Sequence, residues 1–167
     1  MTAARPRRAV GRLRRAAATI ESPADAALAV RMLGWALVLP VLKTVAPLRT
    51  LVRLMSTGGG RRAPRDTEAE RRIGSLARLS HRAAGAGRRD NCLERSLIAY
   101  RYLCAANADP VLVVGARDGP SGVEGHVWIT VDGEPVQDNG EEIRQYAPVT
   151  AFDADGRIGP VPATTVL

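Results

Sequence analysis

Three residues of types able to do acyl-transfer chemistry fall in settings that could use them: Cys92, His126 and Asp138. Cys92 lies in the stretch Arg-Asp-Asn-Cys-Leu-Glu-Arg-Ser-Leu-Ile-Ala-Tyr-Arg-Tyr-Leu, Arg89 to Leu103. Asp90 or Asn91 can cap a helix there by accepting a hydrogen bond from an orphan N–H of the first turn, and the apolar residues that follow recur at helical spacing. Cys92 then sits in the first turn. At about 100° per residue, Leu93, Ser96, Leu97, Tyr100, Leu103 and Cys104 share one arc, with Cys92 at its edge. The N-terminal end of a helix carries roughly half a positive charge and unpaired N–H donors, which favour a thiolate and could hold the oxyanion of a tetrahedral intermediate. A free cysteine usually only packs, however, so a helix mouth alone does not make Cys92 reactive.

The second half of the constellation is Gly-His-Val-Trp-Ile-Thr-Val-Asp-Gly-Glu-Pro-Val-Gln-Asp, Gly125 to Asp138. His126, Trp128 and Thr130 alternate with Val127, Ile129 and Val131, the period of a strand, and Asp132-Gly133 signals a turn into a second short strand. A thiol at a helix N-terminus, an imidazole on a strand and a carboxylate on the next strand make the nucleophile, base and orienter set of cysteine hydrolases. Register decides whether Asp138 can take part. A two-residue turn at Asp132-Gly133 would pair Val131 with Glu134 and put Asp138 on the face away from His126. A three-residue loop, Val131-Asp132-Gly133 with positive φ at Gly133, would pair Thr130 with Glu134 and set His126 opposite Asp138. The second register is the expectation, with Asn139 as the fallback orienter.

Cys-Leu-Glu-Arg-Ser-Leu-Ile-Ala-Tyr-Arg-Tyr-Leu from Cys92, Val-Leu-Val-Val-Gly-Ala-Arg from Val111 and His-Val-Trp-Ile-Thr-Val-Asp-Gly from His126 together resemble the B2 leader peptidases of lasso-peptide biosynthesis. These are transglutaminase-like proteins related to the C-terminal part of the microcin-processing B protein. The resemblance spans about Arg88 to Val149. It implies Cys92 as nucleophile, His126 as base and Asp138 as orienter. It implies an α+β fold of papain and transglutaminase type, with N-terminal helices and a central Cys-bearing helix packed on a small antiparallel sheet. The implied activity is a cysteine peptidase that removes the leader from a ribosomally made precursor peptide. The implied partners are that precursor, a separate winged-helix protein that grips the leader, and a lasso cyclase acting afterwards. One departure is Val127, where the family usually has alanine. Residues of this kind also suit other acyl transfer, or a peptide-binding scaffold that keeps only the fold.

The elements that must hold these residues can be read in order. Ser22-Pro23-Ala24-Asp25 is a helix start, with Ser22 as cap and Pro23 at the first helical position. Ala26 to Leu39 follows as a helix that Pro40 kinks or ends, and Val41 to Met55 is a second one. Arg31, Lys43, Arg49 and Arg53 interrupt this run, so no span reaches the roughly 18 apolar residues a membrane crossing needs. The two helices are expected to pack on the rest of the chain, with an interfacial helix pair as the second reading. Ser56 to Pro64 is a linker by composition. Asp66 to Ala83 returns to helix, with Ile73, Leu76 and Leu79 inward, Glu68, Glu70, Arg71 and Arg72 in water, and His81 as a capping or surface residue. Val111 to Ala116 suits an interior strand, and Asp118 to Gly122 a mobile loop before His126. Trp128, on the face of His126, either shields the imidazole or simply packs. Thr150 to Phe152 and Arg157-Ile158 suggest a last hairpin around Asp155-Gly156.

This organisation divides the 167 residues into a flexible basic arm (1–21), a helical portion (22–89) with a Gly-rich linker at 56–65, and a peptidase core (90–167). Charge follows the same division. Residues 1–89 hold 19 of the 24 Lys and Arg and 5 of the 17 Asp and Glu, a net of +14, which leaves −7 for residues 90–167. The arm suits an anionic partner or a peripheral membrane contact, or else is simply solvated; no stacking platform or recognition motif accompanies it to support nucleic-acid binding. No long apolar segment follows it, as a secretory signal would require. Cys92 and Cys104 are twelve positions apart, about 18 Å along a helix, too far for a disulfide. The two cysteines and two histidines show no zinc-site spacing. Reduced thiols, no metal, no cofactor and a cytoplasmic setting are therefore expected.

Overall fold

The computed structural model describes residues 20–58, 64–85, 91–120 and 122–161. Most of the expected basic arm, the middle of the Gly-rich linker, the alternative cap Asp90 and Ser121 lie outside these residues.

Helix α1 (Pro23–Val45) begins with a capping box: the Ser22 hydroxyl accepts from the Asp25 N–H at 3.1 Å and the Asp25 carboxylate accepts from the Ser22 N–H at 3.0 Å. The helix continues through Pro40, so the end that the sequence allowed there does not occur. Proline forfeits one backbone bond there, and Leu39, with Met32 and Ala36, is anchored in the core. The break comes later, because Pro47 forces Ala46 into the extended region (φ −119°, ψ 134°). Helix α2 (Leu48–Met55) is a separate short element. Unbroken, α1 is long and apolar enough to cross a membrane by length and composition, Arg31 and Lys43 notwithstanding. One side of it lies in the core, while Val30, Leu37, Val41 and Val45 are exposed.

Helix α3 (Thr67–Ala84) is capped by Asp66, whose carboxylate accepts from the Ala69 N–H at 2.9 Å. Two of its expected surface residues are buried. Glu70 takes the Arg65 Nε–H on both oxygens, at 3.0 and 3.2 Å. His81 places Nε2 3.2 Å from Oε2 of Glu94, whose Oε1 meets the Lys43 ammonium at 2.5 Å. The reason is that α3 packs against both α1 and α4 (Cys92–Ala105), so little of its circumference faces water. The Lys43, His81 and Glu94 contacts tie these three helices together.

Five antiparallel strands form one sheet in the order β3-β2-β1-β4-β5: β1 (Val111–Gly119), β2 (Gly122–Val131), β3 (Glu134–Pro135), β4 (Ala147–Phe152) and β5 (Ile158–Gly159). The expected loop at Asp118–Gly122 is shorter than its bounds, because the ladder continues through Asp118↔Val123 and Gly119↔Gly122. Arg117, opposite Glu124, reinforces it with bonds of 2.9 and 2.8 Å to the carboxylate. The suggested last hairpin is β4–β5. Helix α4 lies on the sheet, and one hydrophobic cluster joins its Leu97, Ile98, Tyr100 and Leu103 to Leu112, Ile129 and Phe152, and to Met32, Leu51 and Leu76 of the preceding helices. A smaller cluster, Val113, Trp128, Ile143 and Ala151, includes the one-turn helix α5 (Gly140–Ile143). The architecture is α+β, with the Cys92 end of α4 beside β2.

Candidate active site

Cys92 is the first residue of α4, and Asn91 is its cap. The Asn91 side-chain oxygen accepts from the N–H groups of Leu93 (3.1 Å) and Glu94 (3.4 Å). One turn on, the Ser96 hydroxyl donates to the Val127 carbonyl of β2 at 2.9 Å, which fixes the helix mouth against the strand carrying His126. Cys92 is half-buried and burial pushes its thiol up. A hydrogen bond with His126, another from the Val127 N–H, and the charges of His126 and Arg95 outweigh that, so the thiol titrates below its ordinary range. His126 responds in the opposite sense. The Asp138 carboxylate and then Cys92 stabilise its charged form against burial and raise it to about 9. Both shifts act in favour of the thiolate–imidazolium form of the pair.

Asp138 gets there by a register other than the expected one. Val131 pairs with Glu134 and Thr130 with Pro135 across a two-residue turn in which Asp132 and Gly133 both have positive φ, 52° and 80°. Pro135 decides this. The three-residue loop would set Pro135 opposite Ile129, whose carbonyl needs a donor from β3, and proline has none. In the register observed, the Val136 N–H supplies that bond at 3.1 Å. Pairing stops there, so strand alternation no longer dictates where Asp138 points. Its neighbours hold it against α3 instead. The Gln137 amide donates to the Gly74 carbonyl at 3.3 Å, Arg78 donates to the Gln137 carbonyl at 2.7 Å, and a Cβ at Gly74 would come within 3.2 Å of Gln137. The segment thereby turns Asp138 back beneath His126, with Oδ2 3.7 Å from Nε2. That separation is an ion pair slightly longer than a hydrogen bond.

The other oxygen, Oδ1, takes a bond of 2.7 Å from Arg95, three residues beyond Cys92 on α4. The Tyr146 ring stacks on His126 at 5.0 Å and Trp128 lies at 6.1 Å. The Arg117 guanidinium sits 4.6 Å from the centre of the Tyr146 ring. Trp128 leans over Gly115, the cross-strand partner of His126: a Cβ there would come within 2.7 Å of the indole. Its placement combines both readings considered for it, since it is buried in the small cluster and also flanks the imidazole.

A half-buried thiol at a helix mouth, lowered by a histidine on an antiparallel sheet, is the arrangement against which known families can be compared. The family model of the transglutaminase-like superfamily matches residues 25–151, well over half of the chain. The chain belongs to the transglutaminase-like superfamily. No curated protein and no solved structure matches it. The transglutaminase-like match begins within α1, so the family domain takes in the N-terminal helices along with the residues from Cys92 onward.

Within this transglutaminase-like domain the remaining candidates fall outside the cluster. Cys104 is buried near the other end of α4, its Sγ 3.6 Å from the Ala154 carbonyl, and burial pushes its thiol up to about 11. Asn139, the fallback orienter, caps α5 by accepting from the Glu141 N–H at 3.2 Å. Asp132 sits at the exposed turn. Among the described residues no group of three or more His, Cys, Asp or Glu is placed to hold a metal ion. Sequence reasoning missed Arg95, Arg78, Tyr146 and Gly115 as site-forming residues. The one available signal was the position of Arg95, one helical turn from Cys92.

Proposed function

We propose that this transglutaminase-like chain is a cysteine peptidase that removes the leader from a ribosomally made precursor, as in lasso-peptide maturation. The observation that carries the chemistry is the depressed thiol of Cys92 beside the raised imidazole of His126. In this reading the Cys92 thiolate attacks the scissile carbonyl. Asn91 claims the N–H groups of Leu93 and Glu94, so the N–H of Cys92 itself is the helix-mouth donor left for the developing oxyanion. His126 presents Nε2 to Asp138, which leaves Nδ1 to pass its proton to the departing amine; water then releases the acyl-enzyme with His126 as base. Asp138 orients the ring and stabilises its charged form, and Arg95 holds Asp138. The lasso-peptide assignment rests on the Cys-Leu-Glu-Arg-Ser and His-Val-Trp-Ile-Thr-Val-Asp-Gly stretches. In that setting a separate winged-helix protein would deliver the leader and a cyclase would consume the freed core.

The test is to incubate the chain with a candidate precursor, with and without the products of neighbouring genes, and to read peptide masses. Cleavage to a free carboxylate, lost in Cys92→Ala and strongly stimulated by the leader-binding protein, is the expected result. Amide products formed with an added amine would show that the acyl-enzyme is passed to amines instead of water. Cleavage that survives in Cys92→Ala would overturn the assignment.

A further inference from the structure

Strand β2 is ten residues long and its outer neighbour β3 is only two, pairing with Thr130 and Val131 alone. The rest of the outer edge of β2 pairs with no strand among the described residues. Hydrogen-bond direction alternates along an antiparallel strand, so each β2 residue turns its N–H and C=O either toward β1 or outward. Three observations set the phase. The Ile129 carbonyl accepts from Val136, the Val127 carbonyl accepts from Ser96, and the Val127 N–H meets Cys92. Residues 129 and 127 therefore face outward, and by the same alternation so do Gly125 and Val123. Helix α4 docks on the edge at Val127, and past that point the edge is open among the described residues. Val123 is 77% exposed, Gly125 is exposed too, and a Cβ on Gly125 would find nothing closer than 3.9 Å.

We propose that this open edge, the outward N–H and C=O groups of Gly125 and Val123, is the substrate-binding rail: an extended segment of the peptide adds to the sheet there as a strand. The proposal rests on the assignment of Cys92 as nucleophile and adds how the chain flanking the scissile bond is held. The Val127 N–H lies on the thiol and Gly125 is the next outward residue along the strand, so a peptide hydrogen-bonded at Gly125 is delivered to Cys92 by the register of the sheet. Backbone pairing supplies affinity with little demand on side chains, since the edge at Gly125 offers none. Alternate amides of the peptide must be free to pair, and the amides between them need not be.

Labelling of Cys92 in the full-length protein tests this without knowledge of the natural precursor. Two probes place a tripeptide on either side of the thiol: acetyl-Ala-Ala-Ala chloromethyl ketone and chloroacetyl-Ala-Ala-Ala-amide. In each, Sγ displaces chloride to form a thioether. Each is compared with forms N-methylated at one of two successive amides, and iodoacetamide is the control. For at least one probe, methylation at one amide should slow labelling tenfold or more and methylation at its neighbour less than twofold; the responding probe shows which side of the scissile bond lies on the edge. Gly125→Pro removes an outward N–H and leaves the β1–β2 bonds in place, so it should abolish this difference while iodoacetamide still labels Cys92, which shows that the thiol remains reactive. Equal rates for all methylated forms of both probes on the unmodified protein overturn the rail, whether or not the proline variant folds. So does a difference that persists in a folded Gly125→Pro. Failure of iodoacetamide to label Cys92 would instead count against the nucleophile assignment.

Discussion

The two ends of α4 carry the same functional group in opposite states. Cys92, at the first residue, is half-exposed, meets His126 and titrates below its ordinary range. Cys104, near the last turn, is 1% exposed, lies against a carbonyl oxygen and is pushed up to about 11. One helix thus holds a thiol shifted down and a thiol shifted up, and residue type does not distinguish them. Three physical differences do. The N-terminal end of the dipole favours an anion and the C-terminal end opposes one. An imidazolium partner is present at one end only. Burial, which opposes charge at both, outweighs the lowering hydrogen bonds at Cys104.

The sharpest way to break this comparison is to remove each thiol in turn. Cys92→Ala should abolish peptide cleavage, whereas Cys104→Ala should keep most of it and lower Tm by only a few degrees. Mass mapping after iodoacetamide should find Cys92 modified and Cys104 untouched in the folded protein; prior reaction at Cys104 would invert the picture. Next comes the carboxylate that keeps His126 charged. Asp138→Asn should cut kcat by roughly 10³–10⁴-fold, as loss of the orienting carboxylate does in comparable sites, with circular dichroism unchanged. Asp132→Asn, at the exposed turn, should be close to silent, and equal impairment of both variants would remove Asp138 from its role.

The pH profile sharpens the contrast further. The ion pair forms as pH rises through the lowered pKa of Cys92 and is lost as pH rises through that of His126 at about 9. kcat/KM should therefore be bell-shaped, with its acid limb below the ordinary thiol range and its alkaline limb near 9. In Asp138→Asn the alkaline limb should move down, because the main cause of the raised imidazole is gone. A smaller effect is expected at Arg95, which anchors Asp138 and adds positive charge near Cys92. Arg95→Gln should lower kcat about tenfold and slow iodoacetamide labelling at neutral pH, whereas Arg78→Gln should alter the labelling rate less. The smallest is Gly115→Ala, where the indole of Trp128 must shift to admit the methyl group, at a cost of about 1–3 kcal/mol in stability and a modest loss of activity.

Much of the site was legible because its parts are local. The Asn91 cap, the start of α4 at Cys92, the alternation of β2 and the positive φ of Gly133 each depend on residues within a few positions of one another. The turn register was legible in principle as well. Pro135 cannot donate the bond that Ile129 requires, and that single residue excludes the three-residue loop. Burial on α3 was not legible, since Glu70 and His81 look like surface residues until α1 and α4 cover them.

The sequence by itself determined the helix starts at Pro23 and Cys92, which strand face carries His126, and which thiol lies at a helix mouth, because those choices are settled by backbone geometry over one or two turns. Only the tertiary structure decided that Asp138, beyond the end of its ladder, turns back to His126. That placement comes from the grip of Gly74 and Arg78 on Gln137 and from the bond of Arg95, contacts between residues 43 to 63 positions apart whose geometry no local pattern encodes. Helix packing brings those partners within reach, and the electrostatics that separate Cys92 from Cys104 follow from it.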